Sequence, residues 1–458
     1  MASSREKKVS PRLIAGFRDL SPREMILKRR ILEIVIEQFE LFGFDPFDSA
    51  SIQLQSVLFG ADEWTDMQCY DVWNGNSKRT AASEKMALRF DLTVALGRYI
   101  AENIKTIPRP FSRWQIGQAF RGEKPSVGRY REFSQVDADI AFAPNLVSDA
   151  QIISLINSVM LALGVSFKIK LNNRKILDGL PVAYSFDPDL LVPILTILDK
   201  RDKIGRAGLM FELHGSPDDE GNLKTRDTGL SNEQIDQLCD FVYISGNTED
   251  RLRRVEMIMR GSPKALEGVA ETRTLLGFID ATGVNPDFVE VDPGLARGLD
   301  YYTGPIFETF LTDRPELGAV FSGGRYDNLV ERFIPAKVPA VGASFGIDRF
   351  MAYALEVDLF NMPLSLNEVL VAYQPSTVKE ATLTASVLRK AGLRVKLYDG
   401  PEITFREQIG HAKMLKTPWV VIVGGDEVAN GQVSLKNIIA FKQQTMPLAD
   451  AIRIIQGS

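Results

Sequence analysis

Three clusters along this chain carry groups that could do chemistry, and none of them contains a histidine. The first runs from Phe120 to Ile140, FRGEKPSVGRYREFSQVDADI, where two strand-like arms flank a Gly-Pro-rich turn bearing Arg121, Glu123, Arg129 and Arg131. Arginines on a rigid hairpin hold triphosphate oxygens through paired hydrogen bonds, while Phe133 offers a face on which a base stacks. Taken alone, the segment reads first as an exposed charged hairpin, because charged turns are common. The second is GLARGLDYYTGPIFE, Gly294 to Glu308, where Arg297 precedes Tyr301 and Tyr302 at the edge of an apolar strand. If extended, the two tyrosines point to opposite faces, so one enters the core while the other lines a pocket. The third is SGGRYDNLVERF followed by VGASFGIDRF. Its Gly323 and Gly324 allow close backbone approach or a tight turn before a helix, and Arg349 sits where a helix begins after a small-residue strand.

What the chain lacks narrows the chemistry. His214 and His411 are its only histidines, with no Ser-rich elbow or HExxH, so a histidine triad or metal centre has little to work with. Cys69 and Cys239 stand far apart without a CxxC pair, which excludes a zinc ribbon or disulfide framework. There is no GxxxxGK[ST] and no GxGxxG after a first strand, so any nucleotide is held by arginines rather than by a P-loop or Rossmann turn. A formal net charge of -5 gives no basic field over the whole protein, yet leaves room for a local basic face. The basic start, MASSREKKVSPRL, lacks the apolar run of a secretory signal, and no stretch approaches a membrane span; the expected compartment is the cytoplasm, with no membrane partner.

The elements that must position these groups follow from pattern. At 458 residues, several domains are expected. Ser21 as N-cap, Pro22 at the first helical position, Glu24 closing a capping box and Gly43 beyond the end predict a helix over 21–43. Its apolar residues spread wider than one stripe, so it packs on two sides. From Ala50 to Ala87 the polar sequence reads as loops around a strand at Cys69 to Val72. MALRFDLT, REFSQVDADIAF, PIFETFLT and VGASFGI read as strands with helices between them, an α+β class built on a large, mostly antiparallel sheet. Residues 178–285 read as an inserted helical domain between two parts of the sheet domain, 1–177 and 286–357. After a boundary near Asp358 to Asn367, residues 367–458 read as a separate α/β domain, strand-helix-strand-helix-strand.

Taken together and in order, the clusters resemble the three signature motifs of class II aminoacyl-tRNA synthetases. LARGLDYYTGPIFE with SGGRYD resembles the two blocks peculiar to the histidyl family, and GFRDLSP, LRFDLTVALGRY and LNNRKILDG extend the likeness over nearly the whole chain. The resemblance implies a class II-type antiparallel catalytic sheet and a C-terminal anticodon-binding domain. It implies ATP and L-histidine as substrates, Mg2+ with the ATP, tRNA(His) as partner, a homodimer, and no metal held by protein ligands. It makes Arg121 and Arg297 the catalytic residues. Arg121, Glu123, Phe133 and Arg349 would bind ATP, with Arg349 on the γ-phosphate. Asp91, Thr93 and Gln135 would receive the amino group of histidine, and Arg129, Asp139, Tyr301 and Tyr302 would surround its side chain. The substrate's own carboxylate is the nucleophile in such activation, so no general base is needed. In the C-terminal domain Lys379, Arg389, Lys390, Arg406, Lys413 and Lys416 would meet tRNA phosphates, or form a solvated face. One departure stands out: the motif 1 proline is replaced by Ala50 and the nearby acidic residue by Gln53, where the subunit contact would lie. The rival readings are a regulatory subunit of ATP phosphoribosyltransferase, which lacks the C-terminal domain and catalytic residues that are present here, and an RNA-binding or sensor module, which would leave the arginines idle.

Overall fold

Two fully apolar runs, VLVAY and WVVIV, and one long polar-apolar alternation, EFSQVDADIA, announce two different kinds of sheet. The computed structural model describes residues 9–59, 69–73, 85–126, 128–215, 228–297, 302–401 and 404–457. The chain divides into two units: Met1–Arg18 with Ile31–Tyr353, and Asp19–Arg30 with Ala354–Ser458.

The strands of the first unit are β1 (Asp45–Pro46), β2 (Ile52–Leu54), β3 (Asp71–Val72), β4 (Met86–Leu88), β5 (Phe111–Phe120), β6 (Glu132–Ala141), β7 (Phe167–Asn173), β8 (Val289–Val291), β9 (Pro305–Leu311), β10 (Phe321–Arg325) and β11 (Ala340–Phe345). Eight of them form one sheet in the order β1-β5-β6-β11-β10-β9-β7-β8, antiparallel except at the outer pairs β1–β5 and β7–β8. Of the six inner strands, β5, β6 and β7 precede a long helical stretch and β9, β10 and β11 follow it, so the sheet closes only when residues far apart in sequence meet. In the small sheet β2-β4-β3, β3 falls within the strand read at Cys69 to Val72 and β4 within MALRFDLT, while β2 and a helix at Gln55–Phe59 stand where loops were expected. Polar side chains hid that structure: Gln53 is buried and turns its amide back to the Ala50 carbonyl at 2.7 Å.

The helix expected over 21–43 spans Pro22–Leu41. Its start is the capping box read from sequence: the Ser21 N–H donates to Glu24 at 2.7 Å and the Glu24 N–H to the Ser21 hydroxyl at 3.4 Å. Leu27, Ile31, Val35 and Phe39 recur every four residues as its buried stripe, while Leu32 and Ile36 stay half-buried.

Between β7 and β8 the described residues are helical, including Leu191–Leu198, Arg201–Leu213, Asn232–Val242, Thr248–Ile258 and Pro263–Ala281. Side-chain caps at Ser231, Asn247 and Ser262 start three of these helices. Leu195, Leu209, Leu238, Phe241 and Leu252 form their core, which continues to Val291 and Ile306 of the sheet.

The second unit holds β12 (Val369–Tyr373), β13 (Val395–Leu397), β14 (Trp419–Val423), β15 (Val433–Asn437) and β16 (Lys442–Met446), in the order β13-β12-β14-β15-β16. The first three are parallel, joined by helices Val378–Lys390 and Phe405–Met414 as expected; an antiparallel pair and a last helix, Leu448–Gln456, complete the unit. Among the described residues no helix is long and apolar enough to cross a membrane.

Candidate active site

The pairing of β5, β6 and β11 lays down a polar floor. Along β6, successive side chains alternate, so Gln135, Asp137 and Asp139 share one face. Register places them beside Gly117, Gln115 and Arg113 of β5, and Asp137 and Asp139 beside Ser344 and Gly342 of β11. A Cβ at position 342 would overlap the Asp139 carboxylate, so only glycine leaves that group its place. Gly323 and Gly324, which also read as a possible turn, lie inside β10. There a side chain at 323 would strike the Gly342 carbonyl, which accounts for the small residue without any turn.

Two cavities open over this floor. The larger, about 290 Å³, is lined by guanidiniums from Arg121, Arg129, Arg297 and Arg349 and by the carboxylates of Glu123 and Asp348. Both carboxylates are already engaged. Glu123 pairs with Arg129, while Asp348 pairs with Arg18 at 2.6 Å and accepts the Ser134 N–H at 2.8 Å. Arg121 donates its Nε–H to the Phe90 carbonyl at 3.0 Å and lies 5.2 Å from the Phe133 ring centroid. Arg349 stands on the first turn of the helix Ile347–Glu356 and donates to the Ala319 carbonyl. Its proton affinity is depressed, first by burial and then by Arg297, so the site gains from an added anion.

The smaller cavity, about 220 Å³, has the opposite character: Asp91, Asp137 and Asp139 line it with a single guanidinium, Arg121. Burial raises all three carboxyls, Asp137 to about 7. Opposing burial, Arg121 and the Val94 N–H, 3.1 Å from Asp91 Oδ1, act on Asp91. On Asp139 the opposing groups are Arg113, 2.8 Å away and fully buried, and the Tyr326 hydroxyl, which donates to Oδ1. Thr93 begins the helix Thr93–Glu102 at the same wall. Arg121, Gln135, Tyr302, Ser322 and Ser344 line both cavities and form the boundary between them.

The expected site residues therefore distribute unevenly. Arg121, Glu123, Phe133, Arg297 and Arg349 line the larger cavity; Asp91, Thr93 and Asp139 line the smaller; Gln135 and Tyr302 line both. Arg129, expected around the substrate side chain, lines the larger cavity only. Tyr301 lies outside the described residues. Arg131 serves the scaffold, donating to the Glu123 carbonyl and the Ala15 carbonyl at 3.1 Å each. Arg297 is held between Asp199 at 3.0 Å and Glu308 at 3.2 Å.

Sequence reasoning missed Arg113, Asp137, Asp199, Glu308 and Tyr326. For Tyr326 a signal was in hand, since it lies in SGGRYD, where only Gly323 and Gly324 drew a reading. Arg113, Asp137 and Glu308 are charges inside strands, and their signal was strand parity. Asp199 ends a helix of the intervening segment, and nothing local marks it.

Comparison with known proteins adds to this geometry. The family model described as histidyl-tRNA synthetase matches residues 16–350, and that of an anticodon binding domain matches 367–458. A histidine–tRNA ligase of Clostridium tetani is 33% identical over 457 residues, covering 98% of this chain and 99% of its own. One of Porphyromonas gingivalis is 34% identical over 464 residues, covering 97% and 98%. Among solved structures, a histidyl-tRNA synthetase from Nostoc sp. PCC 7120 superposes with a TM-score of 0.81 at 29% identity, over 98% of this chain and 100% of that one. An ATP phosphoribosyltransferase regulatory subunit/histidyl-tRNA synthetase from Bacillus halodurans C superposes with a TM-score of 0.71 over 92% of this chain and 100% of that one; at 19% identity it shares the fold alone.

Proposed function

This chain belongs to the histidyl-tRNA synthetase family and is a histidine–tRNA ligase, an aminoacyl-tRNA synthetase; from that premise we propose how its two cavities divide the first reaction. The observation that carries the reading is the opposite charge of two adjoining cavities that share a wall containing Arg121. A polyanion belongs in the arginine-lined chamber, and a small ligand with cationic and N–H donor groups belongs in the acidic one. ATP and L-histidine have those properties, and they meet where the cavities touch.

In this reading the adenine stacks on Phe133 with Glu123 beside it, and Arg349 takes the γ-phosphate. Asp91, Thr93 and Gln135 take the amino group of histidine. Asp139, fixed by Arg113, turns toward the imidazole with Tyr302, and Tyr301 and Arg129 complete the surroundings. A carboxylate oxygen of histidine attacks the α-phosphorus, the bond to the bridging oxygen breaks, and pyrophosphate leaves with the electron pair. Arg121 and Arg297 lower the barrier by meeting negative charge that grows at the α-phosphate. No proton has to move, since the nucleophile is already ionised. In the second step a hydroxyl of the terminal tRNA ribose attacks the adenylate carbonyl carbon, the bond from that carbon to the phosphate oxygen breaks, and AMP departs with the electron pair while the hydroxyl proton passes to the leaving phosphate.

Mg2+ enters as part of the substrate, bound to the triphosphate; among the described residues no group of three or more His, Cys, Asp or Glu is placed to hold a metal. We assign residues 1–177 and 286–357 to catalysis, 178–285 to an insertion, and 367–458 to binding tRNA(His), with the cytoplasm as compartment. The enzyme would work as a homodimer, with its motif 1 contact altered at Ala50 and Gln53. The test is ATP–pyrophosphate exchange with each of the twenty amino acids in turn. Exchange with L-histidine alone is the expected result. A folded protein that exchanges with none of them overturns the assignment and favours a regulatory role.

A further inference from the structure

Asp137 lies between two residues already given roles, yet nothing above uses it. It is 2% exposed and lines the smaller cavity. Its neighbour two positions on, Asp139, has partners for its charge in Arg113 and Tyr326. Asp137 is less complete: Oδ2 accepts from Gln135 Nε2 at 3.3 Å and the Ser344 hydroxyl donates to the carboxylate, while Oδ1 has no hydrogen-bond partner. A buried carboxylate oxygen left unmet is costly, and a ligand that donates to it recovers that cost.

The Gln135 amide has the same gap. Because its Nε2 points to Asp137, its Oε1 is left as an acceptor, and that atom too is buried without a partner. Two unmet acceptors, from residues on one face of β6, call for a ligand group with several N–H donors and positive charge. A carbonyl or carboxylate there would meet only lone pairs. An ammonium fits; a guanidinium would need more room than one corner of a cavity of about 220 Å³ shared with an imidazole.

We propose that Asp137 is a specificity-determining residue that accepts a hydrogen bond from the α-ammonium of the amino acid and holds Gln135 with its carbonyl oxygen toward the same group. This deepens the ligase reading and rests on it. The charged groups facing Asp137 are Asp91 before the helix Thr93–Glu102, Arg89 in the preceding segment, Arg113 on β5 and Asp139 on β6; β11 offers the Ser344 hydroxyl. With its carboxyl pushed up to about 7, chiefly by burial, an arriving cation favours the ionised form, so ammonium binding near neutral pH releases a proton.

The experiment is calorimetric binding of two probes to the full chain: L-histidinol, and 3-(imidazol-4-yl)propan-1-ol, which is histidinol without its amino group. Asp137→Asn should weaken histidinol about 10- to 100-fold, the range of a hydrogen bond to a charged group, and leave the second probe and ATP within about twofold. Equal losses for both probes would assign Asp137 a purely structural role, and no loss for histidinol would remove it from the site. Proton release gives a second test. Around pH 6.5, histidinol should release more protons on binding the wild type than on binding Asp137→Asn, read from the dependence of heat on buffer ionisation; equal release overturns the proposal. A wild-type protein that binds neither probe overturns the ligase reading and this proposal with it. Histidine-dependent exchange by the wild type, together with a substitution that changes the affinity of both probes equally, overturns Asp137 alone.

Discussion

Replacing Asp137 by Asn should make the folded protein more stable, by an amount that grows with pH. Burial, reinforced by Asp139 and opposed by Arg113, moves the carboxyl from 3.8 to about 7. The folded chain therefore keeps this proton up to about neutrality, whereas the unfolded chain gives it up near its ordinary value. Between those limits the unfolded state binds fewer protons, so stability falls as pH rises. Each pH unit is worth about 1.4 kcal/mol, and a span of about three units sums to about 4 kcal/mol by pH 8. Asparagine keeps the shape and sheds the titration. Urea unfolding followed by tryptophan fluorescence at pH 4.5, 5.5, 6.5 and 8 should show the variant pulling ahead by about 1.4 kcal/mol per unit up to pH 7, with a constant lead above it. A lead that ignores pH, or that shrinks as pH rises, would refute the account of Asp137 as a carboxylate held against its desolvation. The same substitution is expected to weaken ammonium binding, so stability and function would move in opposite directions at one atom.

Arg297→Ala should lower the rate of histidine-dependent pyrophosphate exchange by about 100-fold or more in protein that still folds, since the side chain acts on developing charge, and should lower the urea midpoint because buried Glu308 loses its partner; an unchanged rate removes it from catalysis. Tyr326→Phe deletes the hydroxyl that donates to buried Asp139 and should cost about 1–3 kcal/mol in urea unfolding while raising KM for histidine and not for ATP; a shift in both KM values would mean a general distortion. Gly342→Ala puts a methyl group onto the Asp139 carboxylate and 3.0 Å from the Ala138 carbonyl, and should raise KM for histidine at least tenfold in the exchange assay; a normal KM would show that the Asp139 position is not needed for the substrate.

The parts of this molecule that were legible in its sequence are those whose cause is local. The capping box at Ser21 and Glu24 closes over three residues, and the strand runs VLVAY and WVVIV owe their burial to their own side chains. Of the small β2-β4-β3 sheet, β3 and β4 fall within segments read as strands, while β2 was missed because it is three residues long and mixed in polarity, too short for any period to show. The glycine pair was open to two readings for a related reason. Gly323 and Gly324 are small because β11 and the Pro305 carbonyl press on them from outside their own segment.

The acidic pocket was hidden by a different cause. In QVDAD the polar positions alternate with apolar ones, as they do in any strand with one wet face, and sequence alone assigns that face to solvent. What turns it into a floor is the arrival of β5 on one side and β11 on the other, β11 lying some two hundred positions further along the chain. Pairing then fixes which charges meet: Asp139 lies opposite Arg113 and contacts it directly, while Asp137 lies opposite Gln115 and Ser344 and feels Arg113 only from the neighbouring pair. One step of register thus separates a carboxylate neutralised by the protein from one left for a ligand. The family motifs locate the site, but the choice of which acid stays open is made by strand pairing.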